Sequence, residues 1–432
     1  MDCRFSERSR RGADEGRRGM SQIGYIELIR TNHAFRRLWS ASVISMLGEW
    51  FNTIALFLII FEYTESEFFL GLLFTMRMIC FAAFQPFGGL LADRINRKKI
   101  MVWTNIIQAG LALCFLLIKG PEDIIWIYIL TGIMMIMHGL YVTAERAALP
   151  NIVPPEHLAT ANALDAASWS TALCIGAMMG GIVVNYYGTD AAFIIDGATF
   201  AFGAFLLRRV TIPQKIDDDM KGPLFSTAIS NIRKGWARIS GEKRLQRIVF
   251  AKSSWNIAGG GLAGVFLVVA GSDVDGLTMA LGFGVFFFAR GVGTGVGPIA
   301  ARTFLKNEEK WPMLVGVLVM ISGFFYFLVG WTLGQSLYLT MALVMLAHAA
   351  SGANWVLSTI LTQKWVEDEV RGRVFSMDML LMSLAFSISS LGAGYMLEHN
   401  YFSLQNGFLI FAVIMIISGA FFTLWRAEEA PV

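Results

Sequence analysis

Twelve apolar runs, each long enough to cross a bilayer and separated by short polar stretches, constrain this chain more than any other feature of its sequence. A hydrocarbon layer of about 30 Å takes roughly 20 residues of helix. Inside that layer every backbone amide must find its partner within the protein, and for runs of this length the helix is the structure that does so. The runs fall at 38–62, 69–91, 100–118, 123–145, 163–184, 190–208, 248–270, 277–300, 311–332, 336–358, 373–396 and 402–425. With 55% of the 432 residues hydrophobic and 16% charged, little remains from which to build a soluble domain. The chain is expected to be an all-α polytopic membrane protein.

The net charge of +3 matters less than where the cations lie. Of the 35 lysines and arginines, Lys119 falls in a loop on one side, Arg77, Lys252 and Arg290 fall inside spans, and the rest fall in the loops and tails of the other side. The cation-poor loops carry Glu62, Glu65, Glu67, Glu122, Asp123, Asp273 and Asp275 instead. Cations are retained on the cytoplasmic side, and an even number of spans puts both termini together. The sequence therefore predicts a multi-pass protein of the cell inner membrane with both termini in the cytoplasm. Cys80, Cys114 and Cys174 lie in apolar spans and Cys3 in the tail, so no disulfide and no metal site is expected. The first twenty residues read as a polar tail or as an extension upstream of a start at Met20, with no cleavable signal.

The chain divides into a tail at 1–34, a six-helix bundle at 35–208, a linker at 209–247, a second six-helix bundle at 248–425 and a tail at 426–432. In the linker Phe225, Ala228, Ile229, Ile232, Trp236 and Ile239 recur at helical spacing while Arg233, Lys234 and Arg238 face elsewhere. Two readings stand: an amphipathic helix on the inner leaflet, or a plain tether between the halves. Val153-Pro-Pro-Glu156 aligns with Val366-Glu-Asp-Glu369 at an offset that also superposes Asp165 on Asp378, as a duplicated six-helix unit requires.

Between the second and third spans lies Gly89-Leu-Leu-Ala-Asp-Arg-Ile-Asn-Arg-Lys-Lys99, a cationic knot that cannot rest in hydrocarbon. Gly89, Asp93, Arg94, Arg97, Lys98 and Lys99 resemble the loop signature of the major facilitator superfamily of transporters, with Asn96 where that pattern prefers glycine. Asparagine tolerates the left-handed turn that glycine supplies, so the loop geometry is expected to survive. Leu47-Gly-Glu-Trp50, Arg146-Ala-Ala-Leu-Pro-Asn-Ile-Val-Pro154, Ala192-Phe-Ile-Ile-Asp-Gly197 and Val370-Arg-Gly-Arg-Val374 resemble the drug:proton antiporter branch, which includes macrolide and enterobactin exporters. The resemblance implies the major facilitator fold, twelve transmembrane helices in two six-helix pseudo-repeats. It also implies that Asp93 meets Arg146 and the start of the eleventh helix around Arg373, forming an inner gate. Two departures stand out. The branch's fifth-helix proline is Ala177 here, within Gly176-Ala-Met-Met-Gly-Gly181, and the second copy of the knot, Gly297-Pro-Ile-Ala-Ala-Arg302, lacks the aspartate.

Charged groups inside spans are costly, so each reads as paired, wet or functional. Glu49 lies near the middle of the first span with Asn52 and Thr53 one turn on, a candidate for proton coupling or for recognising a cation. The alternative is a structural pair with Arg77 or Arg290, which themselves need partners. Lys252, near the inner end of the seventh span, reads as a snorkelling anchor. Asp165, Asp196 and Asp378 read as caps or inter-helix hydrogen-bonding groups. The resemblance implies that spans one, four, seven and ten line the cavity. They offer Met134, His138, Tyr141 and Glu145, then Trp255 and Asn256, then His348, Ser351, Asn354 and Trp355. Soft apolar walls with a few polar groups suit a bulky amphipathic solute better than a sugar.

No phosphate-binding loop, nucleophile arrangement or metal spacing points to an enzyme or a cofactor. Gly291-x-Gly-x-Gly-x-Gly297 lies within a span, where small residues let helices pack. The expected protein is a secondary transporter exporting a small amphipathic compound, drug- or siderophore-like, by alternating access, with possible coupling to the proton gradient. Its partners are that small molecule and the bilayer, not nucleic acid, and it is expected to act as a monomer. The alternatives are a flippase for lysophospholipids or a similar lipid, and a non-transporting membrane sensor signalling through 209–247.

Overall fold

The computed structural model describes residues 23–214 and 223–425, so the readings of the first twenty residues, of Cys3 and of the 426–432 tail lie outside the described residues. A short helix α1 (Tyr25–Thr31) leads into α2 (His33–Thr64), α3 (Glu67–Arg94), α4 (Arg97–Cys114), α5 (Ile124–Ile152), α6 (Leu158–Thr171) and α7 (Ala177–Arg208). The linker helix α8 (Leu224–Ser240) follows. Then come α9 (Lys243–Gly259), α10 (Leu267–Ser272), α11 (Met279–Phe304), α12 (Trp311–Thr332), α13 (Leu337–Trp365), α14 (Asp368–Glu398) and α15 (Leu404–Leu424). Among the described residues no strand occurs, and the all-α expectation holds.

Among the described residues eleven helical stretches are long and apolar enough to span a membrane, and one of them, from Pro155 to Arg208, has 54 residues. At about 1.5 Å per residue such a helix would reach roughly 80 Å, far beyond a bilayer. Gly188 resolves this. Its φ of 79° and ψ of 174° break the helix, and a residue without Cβ adopts that left-handed backbone at no steric cost. The fifth and sixth crossings lie on either side of it, which restores twelve crossings.

The two halves repeat in register. Both ends of α5 map onto both ends of α13 by the offset that carries Val153 onto Val366, and each helix has 29 residues. The expected second knot does not sit in a loop. Gly297 lies inside α11, where an added Cβ would stand 2.1 Å from the carbonyl oxygen of Ala349 on α13, so this glycine serves helix packing.

The fifth crossing lacks its proline, but Ala172–Gly176, just ahead of Ala177, is a π-helical turn. A π turn loosens the hydrogen-bond ladder as a proline does, so local deformability is supplied by another route.

Hydrogen bonds join the halves at the end lined by acidic loops. Ser66 Oγ and the amide of Phe68 (2.9 Å) both donate to Glu398, Thr75 Oγ1 donates to the carbonyl of Ser387 (3.0 Å), and Thr278 Oγ1 donates to Asn185 (2.6 Å). Phe57 packs edge-on against Phe283 and at a tilt against Phe74 and Phe287. Lys119 pairs with Asp190 at 3.0 Å on the same end, and with both partners more than half exposed that pair contributes little.

At the opposite, cation-rich end α1 docks through Asn32, which donates to the carbonyl of Ile152 (2.7 Å) and caps α2 by accepting from Phe35 N (2.9 Å). The linker is a helix rather than a plain tether. It packs on the start of α14, where Gly235 lets it approach within a Cβ distance of 2.3 Å from the Arg373 carbonyl oxygen, and Phe225 meets Phe87 of α3. Ala228, Gly235 and Ile239 are buried while Phe225 and Trp236 remain exposed. Arg238 donates to Glu367 through Nε (3.0 Å) and Nη2 (3.3 Å), which holds that exposed carboxyl below its ordinary range.

Candidate functional site

Glu49 lies halfway along the 32 residues of α2, so no rotamer brings it to either membrane face. Its Oε1 accepts from Arg77 Nη2 of α3 at 2.7 Å, and its Oε2 lies 3.7 Å from His138 Nδ1 of α5. Phe81 packs at a tilt against the His138 ring with centroids 5.3 Å apart. The exposures are 18% for Glu49, 13% for Arg77 and 24% for His138, enough for a solute or water to reach a group otherwise held inside the bundle. Of the two arginines open to Glu49 from the sequence, Arg77 is the partner. The arrangement places a carboxylate between a guanidinium and an imidazole.

The neighbours expected on this face are elsewhere. Asn52 is 1% exposed and points toward Asp196, while Thr53 Oγ1 donates back to the carbonyl of Glu49 at 2.8 Å. Asp196 is fully buried with neither oxygen hydrogen-bonded, and the amide nitrogen of Asn52 is likewise unpartnered. Gly48 permits this approach, because a Cβ there would stand 2.0 Å from Thr199 Oγ1 and 3.0 Å from Asp196 Oδ1. On α5, Met134 and Tyr141 are packed in the bundle core, which leaves His138 and Glu145 of that stripe half-buried. A helix face read from spacing alone is wider than the strip that borders a cavity.

In the second half Lys252 is not a snorkelling anchor. Helix α9 begins at Lys243, nine residues earlier, which puts Lys252 about 13 Å along the helix, too deep for its amine to reach a headgroup. It pairs instead with Asp378 of α14, the side chains being 4% and 3% exposed, with the Trp355 ring 5.5 Å from Lys252 Nζ. Asn256 Nδ2 donates to the Lys252 carbonyl (2.9 Å). His348 is 2% exposed and bonded through Nε2 to Tyr326 Oη at 2.7 Å, Trp255 Nε1 donates to Ser322 (2.9 Å), and Asn354 is 3% exposed. Lys252, His348, Asn354 and Asp378 belong to the interior of the second bundle, Trp255 and Asn256 are half-buried, and Trp355 is 48% exposed. Arg290 is half-buried, and its Nη1 donates to the carbonyl of Ala263 at 2.9 Å.

The cationic knot is organised by Arg97. Its Nε donates to the carbonyl of Ala92 (3.0 Å), Nη1 to Ala147 (2.8 Å) and Asn151 (3.2 Å) on α5, and Nη2 to Asp93 (3.3 Å). Asp93 therefore meets Arg97 and not Arg146 or Arg373, and α8 packs beside Arg373 at the start of α14. Gly89 has open space where a Cβ would stand, Arg94 and Lys98 are half-buried, and Arg146 is exposed near Glu145 and Asp165. Asn96 is not left-handed. With φ −59° it is the N-cap of α4, its Oδ1 accepting from Lys99 N at 3.1 Å, a role glycine cannot fill. Gln214 was invisible to sequence reasoning. It accepts from Arg97 N (2.9 Å) and donates to Ala92 and Ile95, yet it lies more than a hundred residues from the loop it closes and belongs to no motif.

The family model described as Major Facilitator Superfamily matches residues 38–332 and 308–432. Among curated proteins, a putative bacilysin exporter of Bacillus subtilis is 24% identical over 71% of this chain and 75% of its own. Macrolide efflux protein A of Streptococcus pyogenes is 20% identical over 88% of this chain and 94% of its own. In fold, a bacterial homologue of the human lysosomal transporter Spinster, inward-facing and unoccupied, superposes with a TM-score of 0.72 at 17% identity, covering 90% of this chain and 96% of that one. The nucleoside transporter NupG gives 0.71 at 14% identity over 90% and 98%. Twelve crossings in two repeated halves, the cationic knot and the family match together place this chain in the major facilitator superfamily of membrane transporters.

Proposed function

We propose that the protein exports a small amphipathic organic compound by alternating access, with protons exchanged at Glu49 and His138 beside the fixed charge of Arg77. The observation carrying this reading is the Glu49 carboxylate, held at mid-membrane against Arg77 with His138 on its other oxygen. A carboxylate is retained at such depth when it is paired or functional, and this one is both paired and within reach of a titratable ring. The closed acid-lined end and the absence of an Asp93 contact to Arg146 or Arg373 suit a state open toward the cation-rich side. The relatives named for efflux support the outward direction.

The test is flux. Purified protein in proteoliposomes, given a panel of amphipathic anions, neutral compounds and cations, is expected to accumulate at least one of them on the acidic side of an imposed pH gradient, as antiport requires. A panel that moves no faster than in empty liposomes rules the reading out. Flux indifferent to the gradient removes the proton coupling.

Sidedness is tested separately. In a background without native cysteines, Asp275→Cys is expected to react with an impermeant thiol reagent applied outside intact cells, and Lys99→Cys only after the cells are opened. Both positions are exposed, so labelling reports access to the compartment. The reverse pattern would invert the topology derived from the cation count.

A further inference from the structure

The offset that carries Val153 onto Val366 also carries Arg77 onto Arg290, so each half holds an arginine at the same place in its second helix. The partners were not duplicated. Glu49 maps onto Leu262 and His138 onto Ser351, and the structure shows the consequence. Arg77 has a carboxylate at 2.7 Å, whereas among the described residues no Asp or Glu lies within ion-pair distance of Arg290.

Every group facing Arg290 is neutral. Its Nη1 reaches the Ala263 carbonyl, which lies in the π-helical segment Gly260–Phe266, and its guanidinium lies 5.4 Å from the Phe287 ring. Tyr326 of α12 and His348 of α13 are close enough to feel its charge but are bonded to each other at 2.7 Å. The Nε hydrogen has no acceptor. A guanidinium has five N–H donors in a planar fork, and one carbonyl uses only a small part of them.

The position is central. Phe287, one turn from Arg290, packs against Trp50 (5.6 Å) and Phe57 (5.5 Å) of the other half, and a Cβ at the adjacent Gly291 would stand 2.5 Å from the backbone nitrogen of Cys174 on the fifth crossing. Burial of a permanent cation without a counter-charge is costly, and a bound anion removes that cost in the liganded state only. A duplicated arginine, one neutralised and one not, thus leaves the bundle an uncompensated positive charge beside an aromatic cluster.

We infer that Arg290 receives an oxyanion of the transported molecule, a carboxylate or a phosphate monoester, whose apolar body lies against the partly exposed Trp50. This deepens the transporter reading by naming its substrate class, an anionic amphiphile, and it rests on that reading for the word substrate but not for the binding site.

Four matched probes share one aromatic body: 1-naphthaleneacetate, 1-naphthyl phosphate, the neutral 1-naphthaleneacetamide and 1-naphthylmethylammonium. Calorimetric titration of the purified wild-type protein is expected to show at least one anion binding about tenfold or more tighter than the amide and the ammonium, about 1.4 kcal/mol or more. The better of the two anions identifies the oxyanion. In Arg290→Gln the preference over the amide should fall to within about twofold. Arg290→Lys keeps the charge without the fork and, should the glutamine variant not fold, is expected to weaken the anion several-fold with the amide unchanged.

Equal binding of amide and anion by wild type, failure of both anions to bind at millimolar concentration, or an anion preference that survives both substitutions overturns the assignment. The two readings fail differently. Anion binding lost in Arg290→Gln but no flux of any compound leaves the site standing and removes the transporter. Flux of the ammonium probe, unaffected by Arg290→Gln, does the opposite.

Discussion

Lys252→Met is expected to lower the stability of the folded protein by about 3–5 kcal/mol, the usual cost of removing one partner from a buried ion pair. The methionine fills nearly the same volume, so packing changes little and the loss comes from Asp378, left charged in a site where its side chain is 3% exposed. Asp378→Asn strands Lys252 in the same way, with the Trp355 ring at 5.5 Å as its remaining favourable contact. The double variant Lys252→Met, Asp378→Leu is expected to recover most of the loss, because two buried charges replaced together by apolar groups leave nothing unpaired. Thermal unfolding in detergent by intrinsic tryptophan fluorescence gives all three values. A Lys252→Met protein melting with wild type would mean that the pair is not formed in the membrane.

Glu49→Gln acts on both structure and transport. The amide keeps the shape and one acceptor but removes the charge opposite Arg77, so the expected destabilisation lies toward the lower part of the same range, given that Glu49 retains 18% and Arg77 13% exposure. Arg77→Gln added to it is expected to restore stability without restoring coupling. The sign of the coupling effect follows from the chemistry: with no carboxylate between Arg77 and His138, protonation at this site no longer changes which state is favoured, and the pH profile of flux should flatten. Pairing alone predicts a stability loss with an unaltered profile in whatever protein folds, so the rescued double variant separates the two roles. A steep profile in that variant would place the proton elsewhere.

The number of crossings, the cation-rich side and the duplicated halves were legible in the residues, because each depends on properties a short window contains. Apolar length decides whether a helix spans, a cation is counted wherever its helix points, and a constant offset is arithmetic on the chain. Even the break between the fifth and sixth crossings is carried by one glycine, Gly188, in a backbone geometry that suits its missing side chain.

What only the tertiary structure decided is which charges meet. Glu49 takes Arg77 and not Arg290, Lys252 takes Asp378 and not a headgroup, Asp93 takes Arg97 and not Arg146 or Arg373, and Gln214 closes a loop far from it in sequence. The physical reason is that a partner inside a bundle is fixed by the depth and rotation of two helices at once. Hydropathy reports neither to better than a turn, and one turn moves a side chain between cavity, core and lipid. Met134 and Tyr141 on α5 and His348 on α13, expected at a cavity wall, are found in the packed interior, whereas His138 keeps 24% exposure.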